Sequence, residues 1–185
     1  FKDRRNPELD PRLLPDHAKG LILLTGCAQG SIPRLLAENR LDEARATARQ
    51  YQEWFGPEDI YLELQQNLVY GDTQRIRRLA QLGRELDIPV VATNNVHYHF
   101  PERHRLQDAL VSIKHNRSLE ETHKERRPNN QFYLKSSEEM AAMFSRCPEA
   151  IKNTLCIAER CSFDLTKDLA YRFRTTRCPM GPLPR

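Results

Sequence analysis

Three short apolar runs, each bounded by glycine, proline or polar residues, divide the chain. They read GLILL at residues 20–24, IYLEL at residues 60–64 and IPVVAT at residues 88–93. Short apolar runs between turn signals are typical of strands that are buried on both faces. The pattern therefore predicts three buried strands.

The segments between and after these runs are amphipathic. Their apolar side chains recur at the spacing of one helix face. This pattern predicts helices over residues 31–40, 41–55, 73–87, 101–115, 136–144 and 148–161. Ser31 is a predicted cap, Thr73 is predicted to open a helix, and Ser136 with Glu139 has the sequence signature of a capping box.

Apolar strands that alternate with helices predict an α/β fold. Parallel strands require crossover connections, and the crossover helices cover both faces of the sheet. The sequence contains no internal repeat of fixed period, and its 185 residues suit a single domain. We expect an α/β sheet or barrel.

The composition narrows the class of protein. Hydrophobic residues make up 39% of the chain and charged residues 29%, as in a soluble, folded protein. The 29 basic and 25 acidic residues leave a net charge of +4, a surplus too small to require a polyanionic partner. No apolar run is long enough to span a membrane, and no secretion signal opens the sequence. We therefore expect no membrane partner.

The cysteines and the two ends of the sequence add two expectations. The number of cysteines is odd, and no Cys-x-x-Cys pair occurs. Neither a disulfide framework nor a structural zinc knuckle is predicted, and a reducing, cytoplasmic location fits this usage. The sequence begins at Phe1 and ends in the linker-like TTRCPMGPLPR, so we expect a piece of a longer polypeptide.

Polar side chains follow each of the three predicted strands. They are Cys27 after the first strand, Glu63 and Gln65 at the end of the second, and Asn95, His97 and His99 after the third. Ligands and catalytic groups collect beyond the carboxyl ends of parallel strands. Thiolate and imidazole groups suit zinc, so Cys27 and His97 are candidate metal ligands, and a carboxylate would complete a phosphoesterase-type site.

Each candidate also has a purely structural explanation. A lone cysteine after a strand is often a small core residue, and His99 is followed by Phe100 and Pro101, which suits an ordinary surface position. Glu63 lies within an apolar strand, where an unpaired carboxylate would be destabilising. An arginine partner and a position at a polar barrel mouth both stay open for it.

Basic residues cluster at three places. The clusters are Arg75, Arg77 and Arg78; Lys124, Arg126 and Arg127; and Arg172, Arg174 and Arg177. Without interleaved stacking aromatics, basic clusters are weak indicators of nucleic-acid binding, and a solvated face is the favoured explanation for them. The phosphate-loop, dinucleotide-binding and serine-hydrolase motifs are absent from the sequence, so those chemistries receive no support.

Five segments, taken in order, resemble a known family. They are GLILLTGCAQGSIPRLL, YLELQQN, VVATNNVHYHFPERHRLQDALVSI, FYLKSSEEMAAMF and PEAIKNTLCIAERCSFDL. From about His17 to Leu169 the chain resembles the PHP region of bacterial C-family DNA polymerases. Replicative alpha subunits of this family usually carry TNDVHY at the end of the third strand. The form NNVHYH, followed by PERHRLQD and later by RRPN before FYLKS, resembles the error-prone branch.

The resemblance implies a fold. This would be part of a distorted (β/α)7 barrel, with residues 1–165 forming the C-terminal part of a PHP domain and its flanking helices. Residues 166–185 would be a linker that begins the connection towards a polymerase palm domain.

The resemblance also implies the activity of a parent protein. Such a protein would add deoxynucleotides to a DNA primer-template, with Mg²⁺ bound in a palm domain that lies outside this sequence. It would act in damage-induced translesion synthesis in the cytoplasm, and accessory translesion proteins would be further partners.

Metal ligands are a third implication. The family binds metal with an N-terminal His-x-His pair, which would lie upstream of Phe1, with a cysteine that matches Cys27, and with an Asp-x-His that matches Asn95 and His97. An amide at Asn95 removes a charge that helps to hold the cation and to activate a bound water. We therefore expect Zn²⁺ or Mn²⁺ to bind weakly or not at all, and we assign no catalytic residue.

Two other functions stay open at this stage. One is a stand-alone, metal-dependent PHP phosphoesterase or 3′–5′ exonuclease, and the other is a non-catalytic scaffold. The first needs a complete metal site, whereas the second needs none.

Overall fold

Helices surround a small parallel sheet. The computed structural model describes residues 9–164 and 166–169. Within them the strands are β1 (Leu23–Leu24), β2 (Ile60–Gln65) and β3 (Val90–Thr93), paired in parallel in the order β1-β2-β3. The predicted α/β class with a parallel sheet is confirmed, although three strands do not by themselves show a barrel.

Helices connect the strands and follow them. In chain order they are α1 (Leu14–His17), α2 (Ser31–Ala37), α3 (Leu41–Phe55), α4 (Asp72–Leu86), α5 (His104–His115), α6 (Ser137–Met143) and α7 (Pro148–Arg160). Short 3-10 turns at Pro11–Leu13 and Pro101–Arg103 precede α1 and α5. The helices predicted from apolar spacing are all present. The prediction lacks α1, because a single turn is too short to show a helical period.

The three predicted helix starts, at Ser31, Thr73 and Ser136, agree with the structure to different degrees. The Ser31 side chain makes no capping hydrogen bond, because α2 begins at this residue behind a glycine cap. Helix α4 begins at Asp72, one residue before Thr73. At α6 the Ser136 hydroxyl accepts a hydrogen bond from the Glu139 amide at 3.2 Å, and the Glu139 carboxylate accepts one from the Ser136 amide at 2.8 Å. The predicted capping box is confirmed.

The core lies between the sheet and the helices packed against it. Its fully buried side chains include Ile32, Ala44, Ala48, Ile60, Leu62, Leu64 and Leu79. Each large aliphatic side chain among them contributes about 1.5–3 kcal/mol through burial. Gly83 allows α4 to approach the turn before β3, because a Cβ atom there would lie 2.7 Å from the Ile88 carbonyl oxygen.

Strand β1 is shorter than the apolar run that predicts it. Gly20 has a φ of +81°, which interrupts an extended backbone at the start of the run. Leu21 is exposed, and only Leu23 and Leu24 pair with β2. Among the described residues, no helix combines the length and the apolar character that crossing a membrane requires.

Candidate functional site

The turn after β1 places Cys27 beyond the carboxyl end of that strand. Gly26 enters this turn with a φ of +87°, which favours glycine. The Gly30 amide closes the turn by donating to the Cys27 carbonyl at 2.8 Å. A Cβ atom at Gly30 would lie 2.6 Å from the Thr25 carbonyl oxygen, so the turn requires glycine there. The Cys27 thiol is free and partly exposed.

Asn67 connects the ends of β2 and β3 to a more distant segment. Its side-chain amide donates to the Asn94 side chain at 3.1 Å and to the Gln131 carbonyl at 3.2 Å. Its own carbonyl accepts from the Asn129 side chain at 2.9 Å. Asn67 is buried, and its hydrogen bonds hold residues 129–131 against the strand ends.

Asp72 is a buried carboxylate at the start of α4, with an exposed fraction of 2%. Its carboxylate accepts hydrogen bonds from the backbone amides of Asn67 at 2.8 Å and Val69 at 3.1 Å, and it forms an ion pair with Arg75. The positive end of the helix dipole and these donors together stabilise its charge. Asp72 therefore fixes the loop between β2 and α4.

Asn95 and His97 contact each other in the loop after β3. The His97 Nε2 atom lies 3.1 Å from Asn95 Oδ1, and the His97 amide donates to the Phe132 carbonyl at 2.8 Å. The imidazole meets the Phe132 ring edge-on, with 5.9 Å between centroids, and the Arg127 guanidinium lies 5.1 Å from the centre of the same ring. Burial, followed by the charge of Arg127, lowers the pKa of His97 below its ordinary value.

Cys27 and Asn95 line the same cavity, which has a volume of about 180 Å³. Its wall also includes Gln65, Asn67, Asp72, Arg75 and Arg127. His97 is not part of the wall but contacts Asn95 directly. The structure thus brings the three predicted metal-site residues, Cys27, Asn95 and His97, into one region around this cavity.

Glu63 and His99 lie outside that cavity wall. The Glu63 carboxylate accepts from the Thr93 hydroxyl and from the Gln65 side-chain amide, the latter at 2.8 Å. Among the described residues it forms no ion pair with arginine. The neutral donors Thr93 and Gln65, and not an arginine, therefore satisfy this carboxylate within the strand. His99 is exposed, and its ring lies 4.7 Å from the Phe100 ring at a tilt of 56°, which agrees with the surface position favoured for it.

Within the described part of the chain, the donors around the cavity do not by themselves make up a complete metal site. Its one carboxylate, Asp72, is occupied by backbone amides and by Arg75, and Arg127 adds a further positive charge. In residues 9–164 and 166–169, no three side chains of His, Cys, Asp or Glu are grouped so that they could hold a metal ion. A thiol, an amide oxygen and one imidazole are too few ligands for the four-coordinate geometry that Zn²⁺ prefers.

Sequence reasoning missed the residues that hold this region together. Asn67 lies two residues after β2, so the strand-end rule that singled out Gln65 could have included it. Asp72 follows Gly71, whose φ of +89° marks a turn that the sequence alone suggests only weakly. Asn129 carries no local signal, because it contacts Asn67, which is 62 positions away in the sequence.

Comparison with known proteins gives the class of this region. The PHP domain family matches residues 1–67. Residues 1–67 are therefore similar to a PHP domain.

Individual curated proteins extend the similarity beyond residue 67. The chain is 41% identical over 175 residues, 94% of its length, to an error-prone DNA polymerase of Symbiobacterium thermophilum. It is 38% identical over 156 residues to a DNA polymerase III subunit alpha of Treponema pallidum and 36% identical over 155 residues to that of Borreliella burgdorferi, and each match covers 84% of this chain. The chain is thus similar, over most of its length, to a part of bacterial DNA polymerase III alpha subunits and error-prone DNA polymerases.

The match covers only a small share of these relatives. The chain spans 16% of the error-prone DNA polymerase and 13% of each of the two alpha subunits. The division at residues 165 and 166 stays a prediction, and residues 165 and 170–185 lie outside the described part of the chain.

Proposed function

We propose that the chain is part of an error-prone DNA-directed DNA polymerase. The observation that carries this proposal is the 41% identity to an error-prone DNA polymerase over 94% of the chain. The sequence around Asn95 and His97, NNVHYH, supports the same branch. The whole protein then adds deoxynucleotides to a primer-template during translesion synthesis in the cytoplasm, with Mg²⁺ bound in its palm domain and accessory translesion proteins as partners.

The strand order supports a sector of a PHP-type barrel. In a (β/α) barrel, consecutive strands are neighbours and each connection runs in the same direction around the barrel. The order β1-β2-β3, with α2 and α3 before β2 and α4 before β3, has this arrangement.

In this proposal the PHP region supports the polymerase structurally, and its metal site is weakened. Asn95 supplies a neutral oxygen where related domains carry a carboxylate, and that oxygen faces His97. Arg127 adds positive charge beside the same imidazole. Both features oppose the binding of a divalent cation.

Primer extension by the intact protein tests the polymerase proposal. We expect Mg²⁺-dependent extension of a labelled primer on an undamaged template and past an abasic site. The absence of extension on the undamaged template would refute the proposal. Hydrolysis of p-nitrophenyl phosphate by a protein without polymerase activity would instead favour the stand-alone phosphoesterase.

Metal analysis with matched variants tests the weakened site. We expect the intact protein to retain less than one equivalent of zinc or manganese after dialysis, and to lack 3′–5′ exonuclease activity on single-stranded DNA. Asn95→Asp should increase metal retention, because it restores a carboxylate at the cavity. Asn130→Asp makes the same charge change at an exposed position outside the cavity wall and should not. Stoichiometric metal together with strong exonuclease activity in the unaltered protein would show that the site is functional.

A further inference from the structure

A second groove runs between α4 and the connection from α6 to α7, with a volume of about 520 Å³. Its floor is largely apolar. Ile76 and Ala80 contribute from α4, and Met143 and Phe144 contribute from the end of α6. An apolar floor of this kind suits an apolar side chain better than a free ion.

Three arginines stand on the rim of this groove. Arg77 and Arg84 lie on α4, and Arg146 lies in the connection between α6 and α7. All three are exposed, and none of them forms an ion pair or a side-chain hydrogen bond with another described residue. Other arginines of the fold differ, because Arg45 pairs with Glu85 and Arg126 pairs with Asp108.

No carboxylate lines the groove to balance these charges. Glu149 of α7 acts electrostatically on Cys147, a residue of the groove wall, but is not itself part of that wall. The rim therefore presents guanidinium groups that have no carboxylate partner in the groove wall.

We propose that this surface, which we call the arginine groove, binds an acidic peptide segment that inserts an apolar side chain. Guanidinium groups bind carboxylates with two parallel hydrogen bonds, and they are less strongly hydrated than ammonium groups. The Met143 side chain on the floor is flexible and adapts to the shape of an inserted residue. Carboxylates of the peptide would meet the rim while its apolar side chain fills the floor.

The length of the groove suits a short peptide. Its wall on α4 extends from Thr73 to Arg84, which at about 1.5 Å per helical residue is about 16 Å. That distance corresponds to roughly three turns of a bound helix or to about five residues of an extended strand.

Two other occupants fit less well. Single-stranded nucleic acid stacks its bases on exposed aromatic rings, but the one ring in the wall of the arginine groove, Phe144, is 3% exposed. A second copy of the chain would bring together two molecules that each carry a net charge of +4. An acidic protein segment has the complementary charge and the complementary surface.

Fluorescence anisotropy with the whole chain tests this proposal. The probe is a fluorescein-labelled synthetic peptide in which Leu and Phe alternate with Glu and Asp. One control peptide has Ser in place of Leu and Phe, and another has Gln and Asn in place of the acidic residues. We expect binding of the probe and a loss of at least about tenfold in affinity for each control peptide.

Variants of the chain locate the binding site. Arg84→Glu is expected to weaken binding by at least about tenfold, and Arg84→Lys should retain part of the affinity. Arg49→Glu makes the same charge change at an exposed residue of α3 outside the groove, and its affinity should stay within about twofold of the parent. Circular dichroism and thermal unfolding establish that each variant is folded, and Arg77→Glu replaces Arg84→Glu should the latter fail to fold.

Several outcomes would overturn the proposal. Absence of probe binding would do so, as would equal losses in Arg84→Glu and Arg49→Glu, which indicate non-specific attraction. Tighter binding of a labelled oligonucleotide that is lost in Arg84→Glu would assign the groove to nucleic acid. A dimer in sedimentation that Arg84→Glu dissociates would assign it to a second copy.

Discussion

Asn95 and Arg127 both influence how the cavity beyond the strand ends interacts with a cation. A carboxylate at the position of Asn95 would contribute about 4 kcal/mol of attraction per unit charge at ~4 Å, for an effective dielectric constant of ~20. A neutral amide oxygen contributes roughly 1 kcal/mol. Arg127, which lies over Phe132 near His97, makes the electrostatic potential there more positive, which also disfavours a cation. In the proposed weakened metal site, the neutral Asn95 oxygen therefore attracts a cation less strongly than a carboxylate would.

His97 reports on this potential. Burial is the main cause of its lowered pKa and Arg127 is the second, so Arg127→Gln should raise that pKa while leaving it below the ordinary histidine value. Titration of the His97 ring by nuclear magnetic resonance measures the change. Arg105→Gln, at an exposed arginine of α5, is the control and should leave the pKa of His97 unchanged. An unchanged or lower His97 pKa in Arg127→Gln would contradict this account.

The lowered pKa of His97 also affects stability. As the pH falls below the ordinary histidine value, the unfolded chain binds a proton before the folded chain does. The contribution of His97 to the free energy of unfolding therefore decreases over the interval between the unfolded and folded pKa values. Arg127→Gln should narrow this pH interval, because it raises the pKa of His97 in the folded chain towards the unfolded value.

At the scale of the element, α6 depends on its capping box. Ser136→Ala is expected to lower the free energy of unfolding by about 1 kcal/mol, because the Glu139 amide loses its acceptor at the start of the helix. Ser137→Ala is the matched control, since the Ser137 hydroxyl contacts only the adjacent Glu138 and its loss should change stability by less than about 0.5 kcal/mol. Urea unfolding measures both variants. Equal effects would show that the cap does not stabilise α6.

Elements with strong local signals could be predicted from the sequence. The Ser136–Glu139 box and the apolar face of α4 are encoded within a few neighbouring residues. The start of α4 could not be predicted, because Asp72 is fixed by the backbone of a preceding loop. Hydrogen bonds between residues that are distant in the sequence leave no periodic pattern.

The same distinction holds for the candidate site. The strand-end rule locates Cys27 and Asn95, which line one cavity, because each follows a predicted strand directly. It does not find Arg127, which reaches the cavity from a loop after α5. The charge that Arg127 brings could be known only once the chain was folded.

At the scale of the whole molecule, α7 covers the outer edge of the sheet. The Pro89 carbonyl bonds to Leu62 of β2, so the next carbonyl, that of Val90, points away from β2. The Asn153 side chain of α7 donates to this carbonyl at 2.7 Å. The bond satisfies a buried acceptor on a strand edge that would otherwise be open to pairing with another chain.

Asn153→Ala should therefore destabilise the fold. Leaving the buried Val90 carbonyl without a donor costs about 1–3 kcal/mol, and the higher helix propensity of alanine offsets roughly 0.5 kcal/mol of this. We expect a net loss of about 1–2 kcal/mol in urea unfolding. Lys152→Ala changes the adjacent, exposed residue of α7 and should have little effect. A stability in Asn153→Ala equal to that of Lys152→Ala would show that the bond contributes nothing.

The contact between Asn153 and Val90 also has a consequence for the order of events during synthesis. The two residues are 63 positions apart, so closing the loop between them has an entropic cost that grows to about 4 kcal/mol for that length. At a synthesis rate of about 5–20 residues per second, the intervening segment takes roughly 3–13 s to make. During that time the edge of β3 is not yet covered by α7. Slower translation of this stretch would therefore lengthen the period in which β3 of a nascent chain can pair with a wrong strand.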